Sequence, residues 1–290
     1  MNGFEFIKME GTGNDYIYLD AFDHPEYLSG LSIEDIQTVS DRRTGIGSDG
    51  VVIMAPSSRG DAKMMMWNAD GSQSAMCGNA LRCVARYLSR KKSQDNLTIE
   101  TLSGLHLTKI LSDTDGISIV RVDMGPPIFD EKKIPFLPEK MIDTDFRKKR
   151  PFVFKIRLDG QTYTAVTLSM GNPHLVIFVP DADRFDVLKH GAELERHPAF
   201  PERTNVEFVS PDHAGFYQRT FERGSGETYS CGSGACAVLV ASVLTEQGPS
   251  RNRIRLRGGA LDVEWTGSVE NPGSVWMQGP AREVFRGRID

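Results

Sequence analysis

Two segments of the sequence match each other, and the match indicates a duplicated fold. The letters MCGNA start at residue 76 and SCGSGA at residue 230, so Cys77 and Cys231 each precede a glycine at the start of a predicted helix. Each half also has a Gly-Asn turn before its cysteine, with Asn14 lying 63 residues before Cys77 and Asn172 lying 59 residues before Cys231. A polar residue at a strand end lies nine residues before each cysteine, Asn68 in the first half and Glu222 in the second. These coincidences predict two related lobes. We expect their Cys-Gly turns to face each other across a cleft, a common place for small-molecule sites.

Short strand patterns separated by a few helices make up the rest of the chain, which predicts an α+β protein. Helical spacing of apolar residues follows the first Cys-Gly pair, at Leu81, Val84, Ala85 and Leu88. Residues 31–41 are also predicted to be helical, with Ser32 as the N-cap, and residues 183–188 with their neighbours predict a short helix. The letters MGPP at residues 124–127 interrupt the strand pattern and are the predicted boundary. We therefore expect an N-terminal lobe of residues 1–124 plus about 279–290, and a C-terminal lobe of residues 125–278.

The charge balance and the apolar segments exclude several classes of partner. With 34 basic and 39 acidic residues the net charge is −5, whereas nucleic-acid binders and polybasic membrane-surface proteins are usually strongly basic. The longest apolar stretch, residues 236–244, is far shorter than the roughly 20 residues of a membrane-spanning helix. The first residues do not resemble a signal peptide. We expect a cytoplasmic protein with no nucleic-acid and no membrane partner.

The four cysteines and one glycine-rich loop do not fit the common cofactor motifs. The cysteine spacings, C-x5-C and C-x4-C, differ from those of zinc ribbons and thioredoxin-type sites, so we predict no metal. Residues 45–50, GIGSDG, match the dinucleotide fingerprint, but a strand pattern follows where the fingerprint needs a helix. We therefore reject a nucleotide site. We interpret Cys83 and Cys236, which lie among apolar neighbours inside the helices, as core residues.

A cysteine at a helix start can be chemically reactive because the N–H groups there bind anions and favour a thiolate. A matched pair suits inversion of a carbon centre. One thiolate removes a proton from one face of the carbon, and the other thiol protonates the opposite face. The helix N-termini would hold the substrate carboxylate and stabilise the developing charge. This scheme requires no cofactor.

Several motifs resemble those of the diaminopimelate epimerase family of cofactor-independent, two-cysteine enzymes. They are EGTGNDY (10–16), GIGSDG (45–50), NADGSQSAMCGNALRC (68–83), SMGNPH (169–174), FPERTNVEFV (200–209) and ERGSGETYSCGSGACA (222–237). The resemblance runs nearly end to end. It implies two pseudo-symmetric lobes, each a rolled, mostly antiparallel sheet around a central helix, with the active site in the cleft between them. It also implies interconversion of LL- and meso-diaminopimelate for lysine and peptidoglycan precursor synthesis, and a homodimer.

The resemblance also assigns roles by position. Cys77 and Cys231 correspond to the two catalytic acid/bases. The substrate contacts it implies are Asn14, Asn68, Gly78, Asn79, Asn172, Asn205, Glu222, Arg223, Gly232 and Ser233. His174 is expected to support the site, and so is Glu222 in addition to its substrate contact. The chain departs from many relatives at Gly50, where they have Gln, so no side-chain contact is expected there.

Two other functions remain open on the residues alone. One is a racemase for a different amino acid, such as proline or hydroxyproline. Such a substrate would leave Arg223 and the distal asparagines unpaired. The other is a non-catalytic amino-acid-binding or redox-sensing protein in which Cys77 and Cys231 form a regulatory disulfide.

Overall fold

The computed structural model of the chain describes residues 3–29, 31–141 and 151–289. The chain divides into two compact units, one of Met1–Asp123 with Gln278–Asp290 and one of Met124–Met277. Each unit has its own section of the sheet and its own central helix. Among the described residues, every helix is too short or too polar to cross a membrane.

The first unit begins with a β-hairpin and continues through a sheet that surrounds one long helix. Its elements are β1 (Phe4–Gly11), β2 (Asn14–Asp20), α1 (Ile33–Ser40), β3 (Gly50–Ala55), β4 (Ala62–Asn68), β5 (Gln73–Ser74), α2 (Gly78–Lys92), β6 (Asn96–Thr101), β7 (Gly104–Thr114) and β8 (Ile117–Asp123). The described residues of the second unit form β9 (Phe152–Leu158), β10 (Gln161–Ser169), β11 (Pro173–Phe178), α3 (Val187–Glu195), β12 (Asn205–Asp212), β13 (Gly215–Glu222), β14 (Gly226–Thr228), α4 (Gly232–Leu244), β15 (Arg251–Leu256) and β16 (Gly259–Trp265). The last strand, β17 (Val275–Ile289), starts in the second unit and ends in the first.

Strand pairing follows the same sequence of directions in both units. In the first, β1–β2 is antiparallel, β2–β3 parallel, β3–β4 antiparallel, β4–β6 parallel and β6–β7 antiparallel. In the second, the same series runs through β10–β11, β11–β12, β12–β13, β13–β15 and β15–β16. The predicted α+β class and the predicted duplication are therefore confirmed.

The first sheet closes on itself because β17 pairs with both β1 and β8. Inside it lies α2, whose Leu81, Val84 and Leu88 are completely buried. In the second unit α4 is buried on every side from Ala235 to Ala241 and packs against β16, β11, β12 and β15. Cys83 and Cys236 are also completely buried, as expected of core residues.

The sequence placed the start of one helix too early. We expected a short helix at residues 183–188 and nearby, and α3 spans Val187–Glu195 and starts after Asp186, whose side chain accepts a hydrogen bond from the Lys189 N–H. Asp186 is thus a helix-capping residue rather than part of the helix. The prediction for α1 was accurate, because Ser32 and Asp35 form a reciprocal capping box at its start.

Candidate active site

Cys77 and Cys231 occupy the same local position in the two units. Each is the residue immediately before a central helix, with extended backbone angles of −136° and 119° at Cys77 and −125° and 107° at Cys231. Neither side chain caps its helix. The first residues of the helices, Gly78 and Asn79 in α2 and Gly232 and Ser233 in α4, therefore bring backbone N–H groups that have no intrahelical partner to each cysteine.

An asparagine from the β1–β2 turn binds the Cys77 thiol. Cys77 Sγ lies 3.3 Å from Asn14 Oδ1, and Asn79 Nδ2 lies 3.4 Å from the same oxygen. On its other side Asn14 Nδ2 donates to Asp49 Oδ2 over 2.6 Å. A carboxylate oxygen only accepts hydrogen bonds, so Asp49 fixes the Asn14 amide with its oxygen toward the sulphur.

A completely buried arginine supports this arrangement from behind. Arg82, one turn further along α2, donates to Asn79 Oδ1 over 2.9 Å, to Thr12 Oγ1 over 2.6 Å and to the carbonyl oxygen of Pro280 over 3.0 Å. It ties α2, the first turn of the chain and β17 together. Its charge also interacts with Cys77, although burial lowers the pKa of Arg82 overall.

Asn68 lies at the end of β4, and its amide donates to Ser72 Oγ over 3.0 Å. Gly50 is its partner in the β3–β4 pair. At Gly50 φ is +153°, and an added Cβ would lie 2.0 Å from the carbonyl oxygen of Trp67. A glutamine cannot fit there while this strand pair is maintained, which agrees with the departure seen in the sequence.

The second cysteine lies in a buried position near acidic side chains. Cys231 is buried, and its sulphur lies 3.6 Å from Ser233 Oγ. Burial, followed by the charges of Glu222 and Glu207, raises the pKa of the Cys231 thiol well above its usual value. The Gly234 N–H opposes this shift but is outweighed. The helix start therefore acts on the Cys231 pKa in the expected direction, but burial and the two carboxylates outweigh it.

Glu222 stands beside this thiol at the end of β13. Its carboxylate accepts hydrogen bonds from Thr228 Oγ1 and from the Cys231 thiol. Burial, reinforced by the charge of Glu207, raises the pKa of Glu222.

His174 connects two other polar groups of the second unit. Its Nδ1 lies 2.8 Å from Glu207 Oε1, and its Nε2 lies 3.0 Å from Asn172 Oδ1. Both His174 and Glu207 are completely buried. The structure thus places His174 as a bridge between an internal carboxylate and the turn asparagine, in keeping with a supporting role.

The side-chain amide of Asn205 is hydrogen-bonded to two backbone groups of the protein. Its Nδ2 donates to the carbonyl oxygen of Pro173 over 2.9 Å, and its Oδ1 accepts from the Arg223 N–H over 3.0 Å. The next N–H, of Gly224, donates to the buried carboxylate of Glu195 over 3.0 Å. The guanidinium of Arg223 is exposed and reaches the carbonyl oxygen of Glu202.

Direct hydrogen bonds therefore join Cys77, Asn14 and Asn79 in the first unit. In the second unit, contacts link Cys231 with Ser233 and Glu222, His174 with Asn172, and Asn205 with Arg223. Sequence reasoning missed Asp49, Arg82 and Glu207. The signal for Glu207 was present, because it is a carboxylate within an apolar run of β12, VEFV at residues 206–209.

The sequence model of the family described as "Diaminopimelate epimerase" matches residues 6–129 and 166–284. Proteins named diaminopimelate epimerase from Leptospira biflexa and Acetivibrio thermocellus are 45% and 44% identical to the chain, with 98% of each chain covered. The resemblance inferred from the motifs is thus confirmed.

Solved structures with the same fold share much less sequence. A phenazine biosynthesis protein of the PhzF family from Bacillus anthracis has a TM-score of 0.68 at 15% identity, covering 100% of both chains. A hydroxyproline epimerase from Agrobacterium vitis has a TM-score of 0.66 at 14% identity, covering 99% of this chain and 92% of its own. These likenesses concern the fold, whereas the matches in sequence show that the chain belongs to the diaminopimelate epimerase family.

Proposed function

We propose that this protein is a diaminopimelate epimerase that interconverts LL- and meso-diaminopimelate through Cys77 and Cys231. The observation that carries the proposal is the duplicated helix start, in which each half places one cysteine at the same backbone position before a buried helix. Family membership supplies the substrate. The reaction would serve lysine and peptidoglycan precursor synthesis.

The proposed reaction moves one proton off the substrate and another onto it. The thiolate of one cysteine takes the α-proton, and the electron pair left on the carbon is delocalised into the adjacent carboxylate. The thiol of the other cysteine then protonates the opposite face, and the two sulphurs exchange protonation states. The N–H groups at Gly78, Asn79, Gly232 and Ser233 are suited to bind that carboxylate as its charge grows. The scheme requires the two cysteines to flank one carbon when substrate is bound.

The remaining polar groups suit the rest of the substrate. Arg223 offers an exposed guanidinium, which binds a carboxylate bidentately. Glu222 and the asparagines at positions 14, 68, 172 and 205 offer acceptors for ammonium groups. A proline-type racemase is the weaker alternative, because its substrate lacks a second amino-acid end. In addition, the hydroxyproline epimerase is only 14% identical to the chain, whereas relatives with the proposed name reach 45%.

We propose a cytoplasmic location because the four cysteines are free thiols and a reducing compartment keeps them so. The homodimer implied by the family is likewise a proposal. Exposed Val284 and Phe285 on β17 offer apolar surface for such an association. Sedimentation at micromolar concentration tests it, and a mass of one chain would contradict it.

Incubation of the protein with LL-diaminopimelate in deuterated water, without added cofactor, tests the reaction. We expect deuterium at one α-carbon together with formation of the meso isomer. Cys77→Ala and Cys231→Ala should each abolish epimerisation, whereas Cys236→Ala, a matched control inside α4, should retain it. Inversion without incorporation of solvent deuterium, or full activity in either catalytic variant, would contradict the two-base scheme.

A further inference from the structure

Glu207 is an acidic residue inside the motif at 200–209, and neither the expected substrate contacts nor the proposed reaction gives it a role. It lies in the middle of β12 between Val206 and Phe208, and all three residues are completely buried. Its Oε1 is bonded to His174, but its Oε2 has no hydrogen-bond partner among the described residues. Burying a carboxylate is costly even when it is fully bonded, so a position with one bare oxygen is unusual and calls for an explanation.

The glycine at position 234 shows how close this carboxylate lies to the second cysteine. A Cβ on Gly234 would be 2.7 Å from Glu207 Oε1 and 3.2 Å from Cys231 Sγ. The oxygen and the sulphur are therefore at most 5.9 Å apart. Both atoms belong to buried residues, so little water screens the charge between them.

We propose that Glu207 keeps Cys231 protonated in the free protein, so that Cys231 enters the reaction as the proton donor and Cys77 as the proton acceptor. This inference rests on the proposed function of the two cysteines. A negative charge within 5.9 Å disfavours a second negative charge on the sulphur. Without Glu207 the helix start of α4 would act on Cys231 in the opposite direction.

Within the described ranges, two other titratable side chains face this pair, Glu222 on β13 and His174 on β11. Glu222 acts in the same direction as Glu207, because its carboxylate accepts a hydrogen bond from the Cys231 thiol. His174 is bonded to Glu207 through Nδ1 and to Asn172 through Nε2. The His174 Nδ1 contact to Glu207 is a single hydrogen bond to Oε1, and it leaves Oε2 of the carboxylate unbonded in the described part of the chain.

Replacement of Glu207 by glutamine tests the proposal, because the side chain keeps its size and its acceptor for His174 but loses its charge. The experiment uses the full chain with Cys77→Ala and no substrate, and it follows alkylation of Cys231 by iodoacetamide between pH 6 and pH 10, read by peptide mass spectrometry. We expect Glu207→Gln to move the alkylation midpoint down by about one pH unit or more, which makes Cys231 react about tenfold faster at pH 8. Glu193→Gln, on the exposed face of α3, is the matched control and should leave the midpoint unchanged.

A second variant keeps the test decisive if the glutamine variant does not fold. Glu207→Asp retains the charge but withdraws it by one methylene, so the midpoint should fall by a smaller amount. An unchanged or raised midpoint in either folded variant would overturn the proposal. Alkylation does not depend on turnover, so the two proposals can fail separately. A lowered midpoint combined with epimerisation that survives loss of Cys231 would refute the proposed function, and only the effect of Glu207 on the Cys231 proton would stand.

Discussion

Replacing Arg82 by lysine tests whether the buried guanidinium holds the first cysteine site together. Arg82 donates to a side chain of α2, to a hydroxyl in the first turn of the chain and to a carbonyl oxygen of β17. Lysine has the same charge, but its ammonium is a single point on a flexible stem and does not reproduce the planar fork. We expect it to retain about one of these bonds.

The loss can be estimated from the contacts. A hydrogen bond to a charged group contributes about 1.5–3 kcal/mol, so losing two of them costs about 3–6 kcal/mol. For a chain of this size each kcal/mol lowers the melting temperature by about 2–4 °C. Differential scanning calorimetry should therefore show a decrease of about 6–24 °C. Epimerase activity measured well below the transition should also fall, because Asn79 loses the partner that fixes its amide.

Arg90→Lys is the matched control on the same helix. Arg90 is half-exposed and pairs with Asp113 at the surface. An exposed ion pair contributes no more than about 1 kcal/mol, so this variant should melt within about 4 °C of the parent. Equal shifts for the two variants would refute the assignment of a structural role to Arg82.

Three further predictions concern other parts of the two units. Gly50→Ala should destabilise the protein by about 1–3 kcal/mol in urea unfolding, because its Cβ meets a backbone carbonyl. Gly104 also has a positive φ, but an added Cβ there would meet no atom of the described residues, so Gly104→Ala should lower the free energy of unfolding by less than Gly50→Ala does. Hydrogen bonding to an arginine lowers the pKa of Asp212 to about 2, so its contribution to stability is present above about pH 4 and lost as the pH falls toward 2. Asp212→Asn should therefore make the melting temperature depend less on pH in that range. A variant whose melting temperature falls with pH as steeply as that of the parent would contradict this. Glu195→Gln should raise KM more than it lowers kcat, because Glu195 holds the turn that presents Arg223. An equal effect on the two constants would count against that role.

Much of the fold could be predicted from the sequence because its signals are local and repeated. The Cys-Gly pairs, the Gly-Asn turns and the apolar spacing after Cys77 identify two central helices and two sheets of the same plan. The Ser32 capping box identifies the start of α1 in the same way. The start of α3 was missed because Asp186 is equally compatible with a helix interior and with a cap, and only the tertiary context selects the cap.

The properties of the site were harder to predict because they depend on residues that are distant in the sequence. The Cys231 pKa is set mainly by burial and by carboxylates from β12 and β13, and a local helix-start argument omits them. Asn205 was expected to contact substrate, but in the structure its amide bonds to two backbone groups, which a one-dimensional pattern does not reveal. Whether it also contacts substrate stays a prediction.

The two units share their backbone plan but differ in the charges placed behind the cysteines. In the first unit the buried group behind Cys77 is the guanidinium of Arg82, whereas in the second the groups beside Cys231 are the carboxylates of Glu222 and Glu207. A positive charge favours a thiolate and a negative charge favours a thiol. Two identical surroundings would favour the same protonation state on both sulphurs, yet the proposed reaction needs one thiolate and one thiol in the free protein. Duplication would thus account for the matched geometry, and divergence of the buried charges would account for the opposite roles of the two cysteines.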